Sequence, residues 1–227
     1  MFVGHYGPSF LAKRLDPGIP LWILFLAVQL LDVFWAIFIF LGVERVRMVP
    51  GFTETNALDL YYMPYTHSLP GALAWAAAAA ILYGLITGSR RRGALVAAAV
   101  FSHWPLDLLV HRPDLALYDD VAKVGLGLWD YPYVTLALEG ALLLGAMGLY
   151  MAGSRPLTSR GRFSMPAFGL AILSMQAGML FSPPPPSDRA MATTALVAYA
   201  LLAATIAWLE RGRAVDERSM VSGPTRG

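Results

Sequence analysis

Four histidines occur in the chain, His5, His67, His103 and His111, and two of them stand in a segment whose spacing suits metal chemistry. Phe101 to His111 reads FSHWPLDLLVH, so His103, Asp107 and His111 follow one another at intervals of four. On a continuous helix such residues stack on one face. An imidazole and a carboxylate one turn apart can direct lone pairs at a single hard or borderline cation, zinc being the ordinary choice for this donor set. Pro105 lies between them and, lacking an N–H, is expected to kink the helix there. Other ionisable or amide groups interrupt apolar runs: Gln29 and Asp32 in one, Glu139 in another. An ionisable group in a lipid-embedded helix costs about 3 kcal/mol or more, so each is a functional candidate.

Depth along helical runs links several of these groups. At about 1.5 Å per residue from the nearest arginines, His103 lies about 16 Å into its run and Asp107 about 22 Å, while Glu139 comes to about 18 Å. Asp32, His103, Asp107 and Glu139 therefore share a slab near mid-membrane. His67 sits higher, and joins them only if its helix tilts or the site opens toward that face. For His5 two placements stand open: an amphipathic helix in the interface, or a half-helix folded back at Pro17-Gly18. In the second, His5 lies about 15 Å from the turn and Asp32 about 20 Å along the other arm, nearly level. Spacing supports the metal pair His103 and Asp107, with Asp32 as a depth-matched third. His111 sits beside Arg112-Pro113-Asp114, where an interfacial role is as open as ligation. Asp32 and Glu139 are candidate general bases; the plainer readings are a buried hydrogen-bonding partner for Asp32 and, for Glu139, a pairing with Arg112 or a backbone group. Arg112 is placed to clamp a phosphate or carboxylate near the membrane surface.

The elements that must carry these residues follow from composition. Of 227 residues 57% are hydrophobic and 14% charged, with mean hydropathy +0.55. Such a chain has lipid as its main solvent. Net charge is only +2 and the basic residues lie in short clusters between apolar runs, which excludes a nucleic-acid surface. There is no cysteine, hence no disulfide or thiolate ligand, and any metal must use His, Asp or Glu. The expected fold is all-α: a polytopic membrane bundle of about six spanning helices plus a short N-terminal re-entrant or interfacial helix. The windows are Ile19 to Gly42, Leu69 to Thr87, Ala94 to Val110, Tyr131 to Met151, Pro166 to Phe181 and Ala190 to Leu209.

Basic residues mark alternate junctions: Lys13 and Arg14, Arg90 to Arg92, Arg155 to Arg162, then Arg211 and Arg213. The positive-inside rule puts both termini in the cytoplasm, in a multi-pass protein of the cell or inner membrane. One transmembrane domain is expected over 1–213, with a disordered cytoplasmic tail at 214–227. Met1 to Leu15 lacks the pattern of a cleaved signal peptide. Trp104, Trp129 and several tyrosines near span ends fit an aromatic belt, Ala74 to Ile81 a close-packing helix surface, and Pro183 to Pro186 an extended connection. No internal repeat, phosphate loop or serine elbow is present.

Gly4-His5, Leu30-Leu31-Asp32, Tyr65-Thr66-His67-Ser68-Leu69 and Ser102-His103 with Asp107 occur in this order over the first half of the chain. This set resembles the predicted membrane-bound metal-dependent hydrolases of the YdjM type. That pattern has Gly-His, Pro-Asp-x-Asp-His, Thr-His-Ser-Leu and Ser-His followed by Asp. Here the second element keeps one carboxylate, and Met63-Pro64 stand where a further histidine is usual, as in a divergent member. The resemblance implies His5, Asp32, His67, His103 and Asp107 as the metal and catalytic set. The leading expectation is a divalent-metal hydrolase, zinc preferred, acting on a lipid or other small membrane-borne ester or phosphoester. A transporter or channel with a His/carboxylate relay and a non-catalytic lipid-binding protein are the alternatives.

Overall fold

The structure, a computed structural model, describes residues 1–215. The tail expected at 214–227 lies outside the described residues from 216 onward; its first two positions pair in a strand. Helices dominate. A short 3-10 turn at Val3–His5 leads into α1 (Tyr6–Leu15), and a turn at Pro17-Gly18 returns the chain into α2 (Leu21–Val28) and α3 (Leu30–Leu41). Then come α4 (Leu69–Thr87), α5 (Arg90–Phe101), α6 (His103–Val110), α7 (Pro132–Ala152), α8 (Ser159–Met179) and α9 (Asp188–Glu210). Side-chain caps account for several starts: Ser68, Ser89, Thr158 and Ser187 each accept from an N–H three residues on.

Four stretches are long and apolar enough to cross a membrane: Leu69–Thr87, Arg90–Val110, Pro132–Ala152 and Asp188–Glu210. The pair α2 and α3, bent by 55°, makes a fifth if it counts as one broken span. Among the described residues this is fewer than the six expected. The window Pro166 to Phe181 falls in α8, which opens Ser159-Arg160-Gly161-Arg162 and carries Pro166, Ser174 and Gln176. Its polar first turns dilute any window of spanning length. α4 makes the case for lipid directly, since only 11% of its window is buried and Leu73, Ile81, Leu82, Leu85 and Ile86 all point outward. A continuous apolar face of that size is not stable against water.

The expectation of a purely helical chain needs a small correction. Three antiparallel ribbons join helices: β1 (Arg45–Met48) with β2 (Leu58–Tyr62), β3 (Leu115–Tyr118) with β4 (Val121–Val124), and β5 (Ser154–Pro156) with β6 (Arg213–Val215). Strands of three to five residues are too short to show a period-2 pattern.

The N-terminal segment takes the folded-back placement. α1 packs on α2 and α7, and a Cβ on Gly7 would stand 2.8 Å from the Leu142 carbonyl, so the two helices meet backbone to backbone. Phe10 packs on Phe25 and Tyr150 at centroid distances of 5.5 and 5.7 Å. At the foot of the hairpin the buried Lys13 ammonium donates to the Pro17 and Ile19 carbonyls and pairs with Glu210. Glu210 in turn accepts from Leu21 N–H, and Asp16 pairs with Arg91 at 3.1 Å. One end of the bundle thus gathers Lys13, Arg91, Arg92 and Arg213, while β1–β2 and the Pro183–Pro185 loop lie together at the other.

Candidate metal centre

The break between α2 and α3 falls at the fully buried Gln29, whose φ and ψ of −103° and 8° leave the helical region. It opens a fresh helix at Leu30, so Asp32 lies in a first turn, where the helix dipole favours a carboxylate. At the same break the Val28 carbonyl accepts from His103 Nδ1 at 2.7 Å. His103 itself opens α6, after a second interruption at Ser102 that precedes Pro105 by one turn.

His103, Asp107 and His111 share one side as their spacing predicts. His103 Nε2 is 3.0 Å and His111 Nε2 3.5 Å from Asp107 Oδ2, although His111 has already left the helix with ψ 146°. From the turn just before the Ser68 cap of α4, His67 brings Nε2 to 3.2 Å from Asp32 Oδ1 and 3.7 Å from Asp107 Oδ2. His103 Nε2 is 3.5 Å from that same Asp32 oxygen. The opposite Asp107 oxygen, Oδ1, meets His5 Nε2 at 3.1 Å and the Met1 nitrogen at 2.6 Å. The rings of His5 and His103 stack at 3.8 Å, 6° from parallel. All four imidazoles and Asp107 are buried. Two triads bring one ligand atom each within 4.8 Å of one another: His5, His103 and Asp107, and Asp32, His67 and His103.

For His67, His103 and His111 the far side of the ring fixes what the near side offers, whereas His5 Nδ1 is buried without a partner. His103 Nδ1 faces a carbonyl, which only accepts, so Nδ1 carries the proton. His111 Nδ1 faces Asp114 Oδ1 at 2.7 Å. His67 Nδ1 faces Thr66 Oγ1 at 2.7 Å, and that hydroxyl donates to Glu44 Oε2 at 2.6 Å, leaving its lone pair for the imidazole N–H. Glu44, 1% exposed, is held by the Tyr65 and Thr66 amides. In the neutral tautomer, three Nε2 lone pairs converge on two carboxylates, all of them acceptors. His103 Nε2 is buried without a hydrogen-bond partner. Acceptors facing acceptors are repulsive without positive charge between them, and metal-bound histidines have this outer arrangement. The residues therefore fit a divalent cation.

Around the cluster, Tyr199 donates to Asp32 Oδ2 at 2.8 Å. Glu139 Oε2 accepts the Phe2 and Gly4 amides at 2.9 and 3.0 Å, and Gln176 stands 3.4 Å from Oε1. Asp32, His67, Asp107, His111 and Glu139 all line one cavity of about 710 Å³ that extends to the β1–β2 loop and the Pro183–Pro185 connection.

Of the residues singled out from sequence, the structure gathers His5, Asp32, His67, His103, Asp107 and His111, and sets Glu139 on the same cavity wall. It does not bring Arg112 there. That guanidinium forms a two-pronged pair with Asp130 at 2.8 and 3.0 Å, stacks over Phe52, and is absent from the cavity lining. Trp104 and Trp129 are buried walls of the site rather than belt residues: Trp104 Nε1 donates to the His67 carbonyl, and the Trp129 ring lies 4.1 Å from His111. Glu44, Thr66, Asp114, Gln176 and Tyr199 were missed. Asp114, three residues after His111, and Thr66, next to His67 in the Thr-His-Ser-Leu element, left a local signal. No family of known proteins, curated protein or solved structure matches the chain.

Proposed function

We propose that the chain is a membrane-embedded metal-dependent hydrolase of a lipidic ester or phosphoester, with both termini cytoplasmic and the site opening on the opposite side of the cell membrane. The observation that carries it is the outward tethering of the three imidazoles, which points their free nitrogens at one spot. His67, His103, Asp107 and Asp32 would hold the cation, with His111 and His5 completing the set; zinc suits these donors. A divalent cation there supplies Lewis acidity, polarising an acyl or phosphoryl oxygen and making water acidic near neutral pH. Tyr199 keeps Asp32 oriented. Glu139 has Oε2 committed to two amides, so Oε1, with only the longer 3.4 Å approach of Gln176 Nε2, would be the atom to take a proton from attacking water. The resemblance to YdjM-type hydrolases points the same way.

Access from one side favours hydrolysis over transport. Between the cluster and the basic end the bundle is plugged by Phe10, Phe25 and Tyr150, each at most 1% exposed. The test is elemental analysis of purified protein beside its His103→Ala variant, with turnover of a fluorogenic ester and a phosphodiester. We expect stoichiometric divalent metal in the parent, and a loss of metal and of at least about a hundredfold in turnover in the variant. A parent without bound divalent metal would falsify the proposal.

A further inference from the structure

The cavity does not stop at the cluster. Its wall continues along α8 and α9 through Met175, Met179, Thr194 and Ala198. The two helices touch little here, because α8 leans on α7 while α9 packs on α2 and α3. Met175 and Met179, one helical turn apart, are 43% and 49% exposed, a pliable apolar edge that reshapes around an occupant. Opposite them, Thr194 donates its hydroxyl to the Ala190 carbonyl at 2.9 Å, which leaves its methyl group as the contact surface. The polar end is the histidine cluster, and the volume lies within the range of about 300 to 1,000 Å³ usual for ligand cavities. Among the described residues no Lys or Arg side chain lines it, and the Met1 ammonium that does is paired with Asp107 at 2.6 Å.

A space with polar groups at one end, an apolar seam at the other and a lateral gap between helices matches an amphiphile. We infer that the site takes a lipid with at least one apolar chain, drawn from the leaflet at the β1–β2 end. Its polar linkage sits at His67 and Asp107, and its chain leaves between α8 and α9 past Met175, Met179, Thr194 and Ala198. What happens to the linkage rests on the hydrolytic proposal; the seating of the chain does not.

The experiment is photo-crosslinking in liposomes with lysophosphatidylcholine carrying a diazirine at the end of its acyl chain, with adducts mapped by mass spectrometry. Adducts should concentrate at Met175, Met179 and residues 194–198 and be competed by unlabelled lysophosphatidylcholine. Ala198→Trp, which fills the seam, should cut that labelling about tenfold, the equivalent of roughly two methylenes losing their place. Met179→Trp is the companion variant if the first does not fold, and neither should change metal content. Labelling spread evenly over the outer face of α4, without competition, overturns the inference. Specific seam labelling without hydrolysis defeats the catalytic proposal alone, whereas equal turnover of short soluble and long-chain esters without seam labelling defeats this one alone.

Discussion

At the scale of single residues, the groups behind the ligands decide the chemistry. Glu44 acts through Thr66 on His67, and Asp114 acts directly on His111. Neither side chain reaches the cluster, yet each fixes which imidazole nitrogen keeps its lone pair. Glu44→Gln and Asp114→Ala should each weaken metal affinity about 10- to 100-fold with little change in thermal stability, as read by competition with a chelator of known affinity. Occupancy should also fall as pH is lowered, because protons and metal compete for the same Nε2 atoms; the same titration shows this. The sequence made His103 and Asp107 legible because helical spacing is a local property. It left Glu44 hidden, since residues 44 and 66 meet only through the folding of the β1–β2 ribbon.

At the scale of elements, the folded-back α1 is the unusual part. A segment too short to span is held at depth by the Gly7 contact with α7 and by Lys13 at its foot. Lys13→Ala leaves the Glu210 carboxylate with only the Leu21 N–H and two carbonyls without the ammonium, and should cost about 3 kcal/mol, seen as a lower Tm in detergent. Gly7→Leu should push α1 from α7 and take His5 with it, lowering metal content more than stability. Long apolar runs made α4, α7 and α9 readable to within two residues of their ends. α8 misled because its apolar half meets the composition of a span while its arginine-bearing half does not. The break at Gln29 was written only as a polar residue in an apolar run, with no glycine or proline to announce it.

For the whole molecule, the two ends differ in charge and architecture, which fixes a testable orientation. The chain lacks cysteine, so single reporters are clean. Glu54→Cys in the β1–β2 loop should react with a membrane-impermeant maleimide from outside intact cells, and Arg160→Cys in the first turn of α8 only after lysis; both positions are exposed. The opposite pattern would invert the bundle and place the cavity on the cytoplasmic side. Composition and charge clusters carried this layout in the sequence. The cavity did not show, because it is a gap between helices distant in the chain.

The α1 seat also sets an order of assembly. Phe2 and Gly4 hang from Glu139, and Gly7 rests on Leu142. α1 can pair with α2 as soon as both are made, but half of its seat has to wait for α7. Until then the arm lacks its α7 contacts, and the histidine cluster closes only when it swings in. For most of synthesis His5 is thereby kept away from His103 and Asp107, the two groups it meets in the finished fold.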